Sequence, residues 1–441
     1  MGTITAPGIG SGLDISGIVG ALLAVERQPL ERIEENRAAA QTELSAFGQL
    51  NSAFSTFQTA LNDLDSFSNF RIFSNTTSDE QVATATSTSD AAEGQTDIVV
   101  TRLAERNVLN TAAFTDAETV IGEGTLTISV GSESFDVVID STNSTLSGIR
   151  DAINNSTDNT GITATVINAD DGSRLIFSSD ETGLENALTL TGSGGLTSLS
   201  SANLTTQQAA LDAQLTVSGF TVTSSSNTVT NVLQGVTFEL LSTGNTTITV
   251  DRDNAAIQES VQSFVDAFNN VNTTITNLQA GDLQGESLLL TISSDLRNIF
   301  NTATTGLSDT FSTLTEIGVE FNEEGVLTLD STSLTNALNV DFQGVANLFA
   351  DPTSGVITQL QSVVDGLTQT GGLIDAREEG INTRIDNFDT RIDAFELRLI
   401  NIEERLVNQF AALDQLLGSL NNTSNFLASQ LSTLPTIGQG N

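Results

Sequence analysis

The chain is predicted to be α+β: a helical coiled-coil stalk built from both chain termini, with antiparallel β modules inserted between them. Three observations carry this. Arg377, Arg384, Arg391, Arg398 and Arg405 recur at every seventh position, interleaved with an apolar series spaced four and three: Ile381, Ile385, Phe388, Ile392, Phe395, Leu399, Ile402 and Leu406. This is a heptad repeat, the pattern of a helix that winds around another helix. A second stripe of the same spacing lies near the other end, at Phe47, Leu50, Phe54, Phe57, Leu61 and Leu64. Between the two, residues 76–250 change to the period-two alternation of strands.

In chain order, residues 13–66 read as helix, with Pro29 marking a break after which a new helix begins, since proline fits a first turn. Strand alternation then runs through DIVVTRL (97–103), LTISV (126–130), FDVVID (135–140), ITATVI (162–167), LIFSS (175–179), LTVSGFTVT (215–223), VTFELL (236–241) and TTITVD (246–251). Short helical pieces are expected at Leu146–Asn154 and Asn227–Leu233, and turn residues such as Asp170-Asp171-Gly172 separate the strands into hairpins. Helix returns at Asn254, where Ile257, Val261, Phe264, Phe268, Val271, Ile275 and Leu278 keep four-and-three spacing. Less regular helix follows at Leu288–Leu307, a hairpin at Ile317–Leu329 around Glu324-Gly325, and helix again from Ser333 to Leu367. Gly371-Gly372 precedes a last helix from Ala376 to about Leu434. The expected division is 1–45 with 385–441 as a terminal coiled-coil region and 46–75 with 252–384 as a helical leg. Residues 76–110 with 205–251 form a β domain, and 111–204 an inserted β/α head.

The chain has 441 residues, enough for about two to four domains. It contains no Cys, His, Trp or Tyr, and all 15 basic residues are Arg. Disulfides, thiolate zinc sites, histidine ligands and histidine-based triads are therefore excluded. A formal charge of −40 argues against nucleic acid or an anionic membrane as partner. It suits solubility, and equally a life in salty water where screening removes self-repulsion. No apolar run approaches the roughly 20 residues that cross a bilayer. The first twenty residues carry no basic n-region and no A-x-A site, which speaks against a Sec-type signal peptide.

The apolar stripes need cover. Each buried Leu, Ile or Phe contributes roughly 1.5–3 kcal/mol, which an isolated helix cannot collect from water. With Ile385 at heptad position a, every one of the arginines falls at g; Gln409 and Thr423 are polar members at d, and Leu413 continues the seam at a. Polar seam residues weaken a coil but fix its register and strand number. None of the arginines has an acid three or four residues away, so their partners belong on another helix. A parallel coil of two copies would match Arg384 with Asp389, Arg391 with Glu396, and Arg398 with Glu403. Stripes at both chain ends point instead to an antiparallel pair within one chain. Both arrangements stay open, as does a third in which the arginines only solvate a flank.

No catalytic constellation can be assembled, and no cofactor or metal is expected. The carboxylates are scattered. Gly8-Ile9-Gly10-Ser11-Gly12 has the look of a phosphate loop but follows no strand and opens no βαβ unit. Asn168–Gly172 resembles part of a calcium loop, but its Gly is at the wrong offset and no closing Glu follows, so a hairpin turn is expected.

Taken in order, the motifs resemble the bacterial flagellar filament capping proteins, the hook-associated protein 2 family. The resemblance starts in SGLDISGIVGALLAVERQPLERIE (11–34), with Gly12–Asp14 and the Glu-x-x-Pro-Leu of Glu26–Leu30. It continues through AAEGQTDIVVTRLAERNVL (91–109), DDGSRLIFSSDETG (170–183), SNTVTNVLQGVTFEL (226–240) and LTEIGVEFNEEGVLTLDSTSL (314–334). GGLIDAREEGINTRI (371–385) and QFAALDQLLGSLNNTSNFLASQL (409–431) complete it. The chain departs from the family in having no Lys and in placing Phe410 and Phe426 where Tyr is common.

The resemblance implies a non-enzymatic cap: a closed ring of about five copies on the distal tip of the flagellum. There it retains exported flagellin and promotes its folding and insertion. Partners implied are the chain itself, flagellin and a cytoplasmic export chaperone, with export through the flagellar type III channel. Two other readings share the architecture. One is a hook–filament junction or other axial structural protein. The other is an adhesin whose β head takes host or surface glycans.

Overall fold

The computed structural model describes residues 14–300 and 310–432. The Gly8–Gly12 loop, the segment after Phe300 and the last two residues of the expected final helix lie outside these. Helix α1 (Ile15–Asn62) and short α2 (Phe67–Phe70) lead into β1 (Phe73–Thr77), β2 (Ala83–Ser87), β3 (Gly94–Arg102), β4 (Arg106–Asn110), β5 (Gly124–Val130) and β6 (Glu133–Ile139). Then come α3 (Leu146–Asn154), β7 (Ile162–Ala169), β8 (Gly172–Thr182), β9 (Leu188–Gly192), β10 (Thr205–Gln208), β11 (Ala213–Val217), β12 (Phe220–Ser224), β13 (Thr228–Leu233), β14 (Val236–Leu240) and β15 (Gly244–Arg252). The rest is α4 (Asn254–Ala280), α5 (Ser287–Phe300), β16 (Val319–Phe321), β17 (Leu327–Leu329), α6 (Ser331–Val340), α7 (Phe342–Ala350), α8 (Val356–Thr368) and α9 (Leu373–Ser432). This is the α+β architecture expected from the sequence. Among the described residues no helix is long and apolar enough to cross a membrane.

The chain divides into two compact units. Among the described residues, the first takes those up to Asp65, those within Gln262–Leu334 and those from Gln343 on; the second holds Ser66–Val261 and Thr335–Phe342.

In the first unit the N-terminal stripe is core: Phe47, Leu50, Phe54, Phe57, Leu61 and Leu64 are all at most 1% exposed. Phe57 packs on Phe264 and Phe268 of α4, each with centroids 6.0 Å apart. Phe264 meets Phe349 of α7 edge-on, and Phe268 contacts Phe321 of β16. Aromatic pairs in this range add about 0.5–1.5 kcal/mol beyond their burial. The β16–β17 hairpin turns at Gly325, whose φ of +77° explains a glycine there.

The second unit holds two cores. In one, a five-stranded sheet β1-β15-β3-β11-β12 faces a three-stranded sheet β13-β14-β2. Ile98, Val100, Leu215, Val217, Ile248 and Val250 from the first sheet meet Val229, Val236, Phe238 and Leu240 from the second. In the other, sheets β10-β4-β8-β7 and β6-β5-β9 share a core with α3 around Leu126, Ile128, Ile149, Ile153, Leu175 and Phe177. Buried Asn107 of β4 links the strands here. Its amide accepts from the Leu188 N–H (2.9 Å) and donates to the Gln208 carbonyl (2.8 Å).

Several expectations are corrected. Helix α1 runs through Pro29 without a break. Proline removes one backbone bond, but Pro29 is exposed while Leu30 beside it and Ile33 one turn on are buried against α9. Asn227–Leu233 is not helical; residues 228–233 form β13. A bulge between Val229 and Leu233, with Asn231 at φ +63°, shifts the alternation and leaves Val229, Val232 and Leu233 at a spacing that imitates a helix. The run LTVSGFTVT is two strands, turned by Ser218 and Gly219 at φ +49° and +86°, as a type I′ hairpin requires. Asp170-Asp171-Gly172 is the expected β7–β8 turn, with Asp171 gripped by both terminal nitrogens of Arg174 (2.8 and 2.6 Å).

Candidate functional site: the terminal helix pair

The heptads of α9 are covered by α1, within one chain. Ile381, Ile385, Leu399 and Ile402 are buried, and Phe388, Ile392, Phe395 and Leu406 are half-buried. Opposite them on α1, Leu30, Ile33 and Ala40 are buried. The cross-helix contacts run in opposite directions along the two sequences. Glu43 reaches Arg384 and Arg377, Arg37 reaches Asp389, and Leu30 lines a groove with Leu399. The pair is therefore antiparallel. Gln409 and Leu413 are exposed, as is Thr423.

The charged flanks follow from that direction. On antiparallel helices the g flank of one lies along the g flank of the other. Arg384 Nη1 donates to Glu43 Oε2 at 3.0 Å, and an Arg377 terminal nitrogen lies 3.9 Å from Glu43 Oε1. Arg377 also pairs with Glu286, ahead of α5. Arg37 sits in the α1 seam and holds Asp389 with both a short Nε contact and Nη2 at 3.4 Å. Arg391 and Arg398 lie over the rings of Phe388 and Phe395 on their own helix, at 6.0 and 5.6 Å. No ion pair engages them or Arg405 among the described residues.

The structure thus places the expected seam residues on one unit but divides them differently. The stripe from Phe47 to Leu64 also serves the rest of the helical core: Phe57 packs with α4, and Gln58 bonds Asp365 of α8 (2.9 Å). Arg384 and Asp389, which the parallel-coil alternative would pair between copies, bond Glu43 and Arg37 within the chain, as the antiparallel alternative requires. Sequence reasoning missed Arg37, Glu43 and Glu286. Glu43 was findable: it is the g residue before Leu44 in a heptad that runs from Leu30 through Ile33, Arg37 and Ala40.

Local electrostatics reinforce the helix ends. Asp14 caps α1 by accepting from the Gly17 N–H (2.9 Å) and the Ser16 hydroxyl (2.7 Å), which hold its carboxyl below the usual range. Near the start of α9, burial and then the Asp375 charge push the Glu378 carboxyl up. Glu31, Glu34, Glu396 and Glu403 line the groove of about 360 Å³ between α1 and α9, together with Arg27, Leu23 and Leu399. Among the described residues no cluster of ligating side chains fits a metal ion.

Helical chain ends that close on one another around inserted β modules are the build of an axial assembly protein. The family models for the flagellar hook-associated protein 2 N-terminus and C-terminus match residues 11–107 and 210–422, and the flagellin hook IN motif matches 125–181. The A-type flagellar hook-associated protein 2 of Pseudomonas aeruginosa is 34% identical over 98% of both chains. Flagellar hook-associated protein 2 of Escherichia coli (strain K12) shows the same identity and coverage. The crystal structure of the D1-D2-D3 domains of the Escherichia coli flagellar cap protein FliD superposes with a TM-score of 0.67 at 34% identity. That match covers 76% of this chain and 99% of the solved one. The chain belongs to the flagellar hook-associated protein 2 family, the cap proteins of the bacterial flagellar filament.

Proposed function

We propose that this chain sits as a ring of about five copies on the distal tip of the filament. There it retains exported flagellin and promotes each subunit's folding and insertion. The carrying observation is the α1–α9 pair, a long helical arm closed by Glu43, Arg37 and the buried Ile381, Ile385, Leu399 and Ile402. Such an arm offers filament subunits a helical surface of the same kind as a coiled-coil end. In this reading the chain has four parts: 1–45 with 385–441 a terminal coiled-coil region, 46–75 with 252–384 the helical leg, 76–110 with 205–251 the plate, and 111–204 the head. Two separate cores within residues 66–261 support the last two. We read the chain as non-catalytic, as a protein without His or Cys and with scattered carboxylates suggests. Export through the flagellar type III channel with a dedicated chaperone belongs to the same reading.

Deleting the gene tests it. Unassembled flagellin should leak into the medium and swimming should stop, with both restored by the intact gene. Normal filaments in the deletion strain would end the proposal. Phe388→Asp with Phe395→Asp should fail to restore swimming while the β sheets keep their hydrogen-exchange protection. Wild-type swimming by that variant would show that the seam is not the anchor.

A further inference from the structure

Between α2 and the start of β1, the second unit holds a cavity of about 370 Å³ whose charge runs against the rest of the chain. The chain has 55 acids and 15 arginines, yet two arginines, Arg71 and Arg252, and a single acid, Glu93, line this cavity. Its walls are the rings of Phe67, Phe73 and Phe342. The topology explains the convergence. Phe73 of β1 and Arg252 of β15 are cross-strand partners, so their side chains share one face of the sheet. Arg71 stands two residues before Phe73, and Phe342 meets Phe67 edge-on at 5.7 Å.

The rings hold the guanidinium groups. Arg252 lies 4.0 Å from the centroid of Phe342, and Arg71 lies 5.7 Å from that of Phe73. At these distances a cation is drawn to the face of a ring. Arg71 Nη2 donates to the carbonyl of buried Ala91 at 2.6 Å, which ties the side chain to the loop ahead of β3. Two positive charges lining one cavity each favour an anion beside them. Arg252 has one, because its Nη2 donates to Glu93. Arg71 makes no ion pair among the described residues. A guanidinium carries five N–H donors in a planar fork that matches a carboxylate. A half-buried fork of this kind, set between phenyl walls, fits a carboxylate carried on a flat apolar body: the oxygens take the fork and the body lies against the rings. The hold of Arg252 on Glu93 shows the same chemistry already in use at the rim. The volume falls within the range of small-ligand sites, about 300–1,000 Å³.

We infer that this cavity is a binding site for a small carboxylate with a flat apolar body, seated on Arg71 between the rings. The site goes beyond the cap reading and does not depend on it. Glu93 is its internal competitor, since it offsets the charge of Arg252 that would otherwise add to the pull on the ligand.

Benzoate is the probe. Titrated into the full-length chain in a calorimeter, it should bind saturably, one per chain, with a Kd of about 1 mM or below. Benzamide has the same ring without the charge and should bind at least about tenfold more weakly. Arg71→Gln should keep the wild-type circular dichroism and weaken benzoate binding about tenfold or more. Glu93→Gln should tighten benzoate binding about threefold to tenfold by freeing Arg252, a gain that a damaged fold does not produce. Phe220→Ser removes a ring that is 77% exposed on β12, at the opposite edge of the sheet from β1, and should leave binding unchanged. An acetylated tripeptide, Ala-Ala-Phe with a free carboxyl, should bind no more tightly than benzoate. Absence of saturable benzoate binding overturns the site, as does equal binding of benzamide, or a Glu93→Gln variant that binds benzoate no more tightly than the wild type. So does a folded Arg71→Gln variant with undiminished binding, or binding lost with Phe220. Tighter binding of the tripeptide would give the cavity to the end of a polypeptide and overturn its assignment to a small ligand.

Discussion

Glu43 on α1 accepts from Arg384 on α9 across 3.0 Å, and Glu43 keeps only 19% of its side chain exposed while Arg384 keeps 51%. The contact joins residues far apart in the chain and sets the direction of the pair. Exposed ion pairs are worth about 0–1 kcal/mol, so this one aligns the helices more than it stabilises them. Glu43→Arg should cost about 0.5–1 kcal/mol, and Arg384→Glu alone a similar amount. The double exchange should recover most of the loss. A double-mutant cycle by urea denaturation reads this, and a coupling energy of zero would remove the contact from the account.

Phe57 anchors the helical core. It is fully buried and faces Phe264 and Phe268. Phe57→Ala should cost about 3–5 kcal/mol. Hydrogen exchange should show lost protection in α4 and α1 while β3, β11 and β15 stay protected. Unaltered exchange in α4 would mean the aromatic cluster is not the core's keystone.

Salt should stabilise this protein. Raising ionic strength from about 0.01 M to 1 M shortens the Debye length from about 30 Å to about 3 Å. That screens the self-repulsion of a −40 chain, and it weakens a few exposed ion pairs of small worth. Tm by calorimetry should therefore rise with sodium chloride. A falling Tm would mean that the ion pairs outweigh the repulsion.

Between α7 and α8, Asp351 accepts the N–H groups of Ser354 (2.8 Å) and Thr353 (2.9 Å), and these bonds hold its carboxyl below the ordinary value. A carboxylate with a lowered folded pKa stabilises above its unfolded value, about 3.9. That contribution fades as pH falls through the folded value. Asp351→Asn keeps an acceptor but loses the charge. The wild type's stability advantage over Asp351→Asn should be constant from neutral pH to about pH 4 and vanish in stronger acid. Denaturant midpoints across that range measure it; an advantage that grows on acidification would reverse the sign.

Periodicity made most of the architecture legible. The α4 series from Ile257 to Leu278 is buried throughout, and the strand runs between 97 and 251 fall on strands. Two kinds of information were hidden. Backbone irregularity was one: the bulge at Asn231 and the unbroken passage through Pro29 each replace the local pattern with a tertiary outcome. Pairing was the other. A seam shows that a helix needs a partner, but the partner's direction depends on which flanks meet. Arg37 and Glu43 decide that, and they lie in a stretch whose apolar stripe is thinned by alanine and by Arg37 itself. Strands such as β4, β9 and β10 escaped because they are short and rich in Thr, Asn and Gln.

The most direct test of the account joins Arg37→Cys with Asp389→Cys in the otherwise cysteine-free full chain. The two side chains touch across the antiparallel pair. Dilute protein should close the bond under mild oxidation and stay at the mass of a single chain, with residues 37 and 389 linked in its peptide map. Bonds found only between chains, as a mixture of isotopically heavy and light protein would reveal, would contradict a stalk closed within each copy.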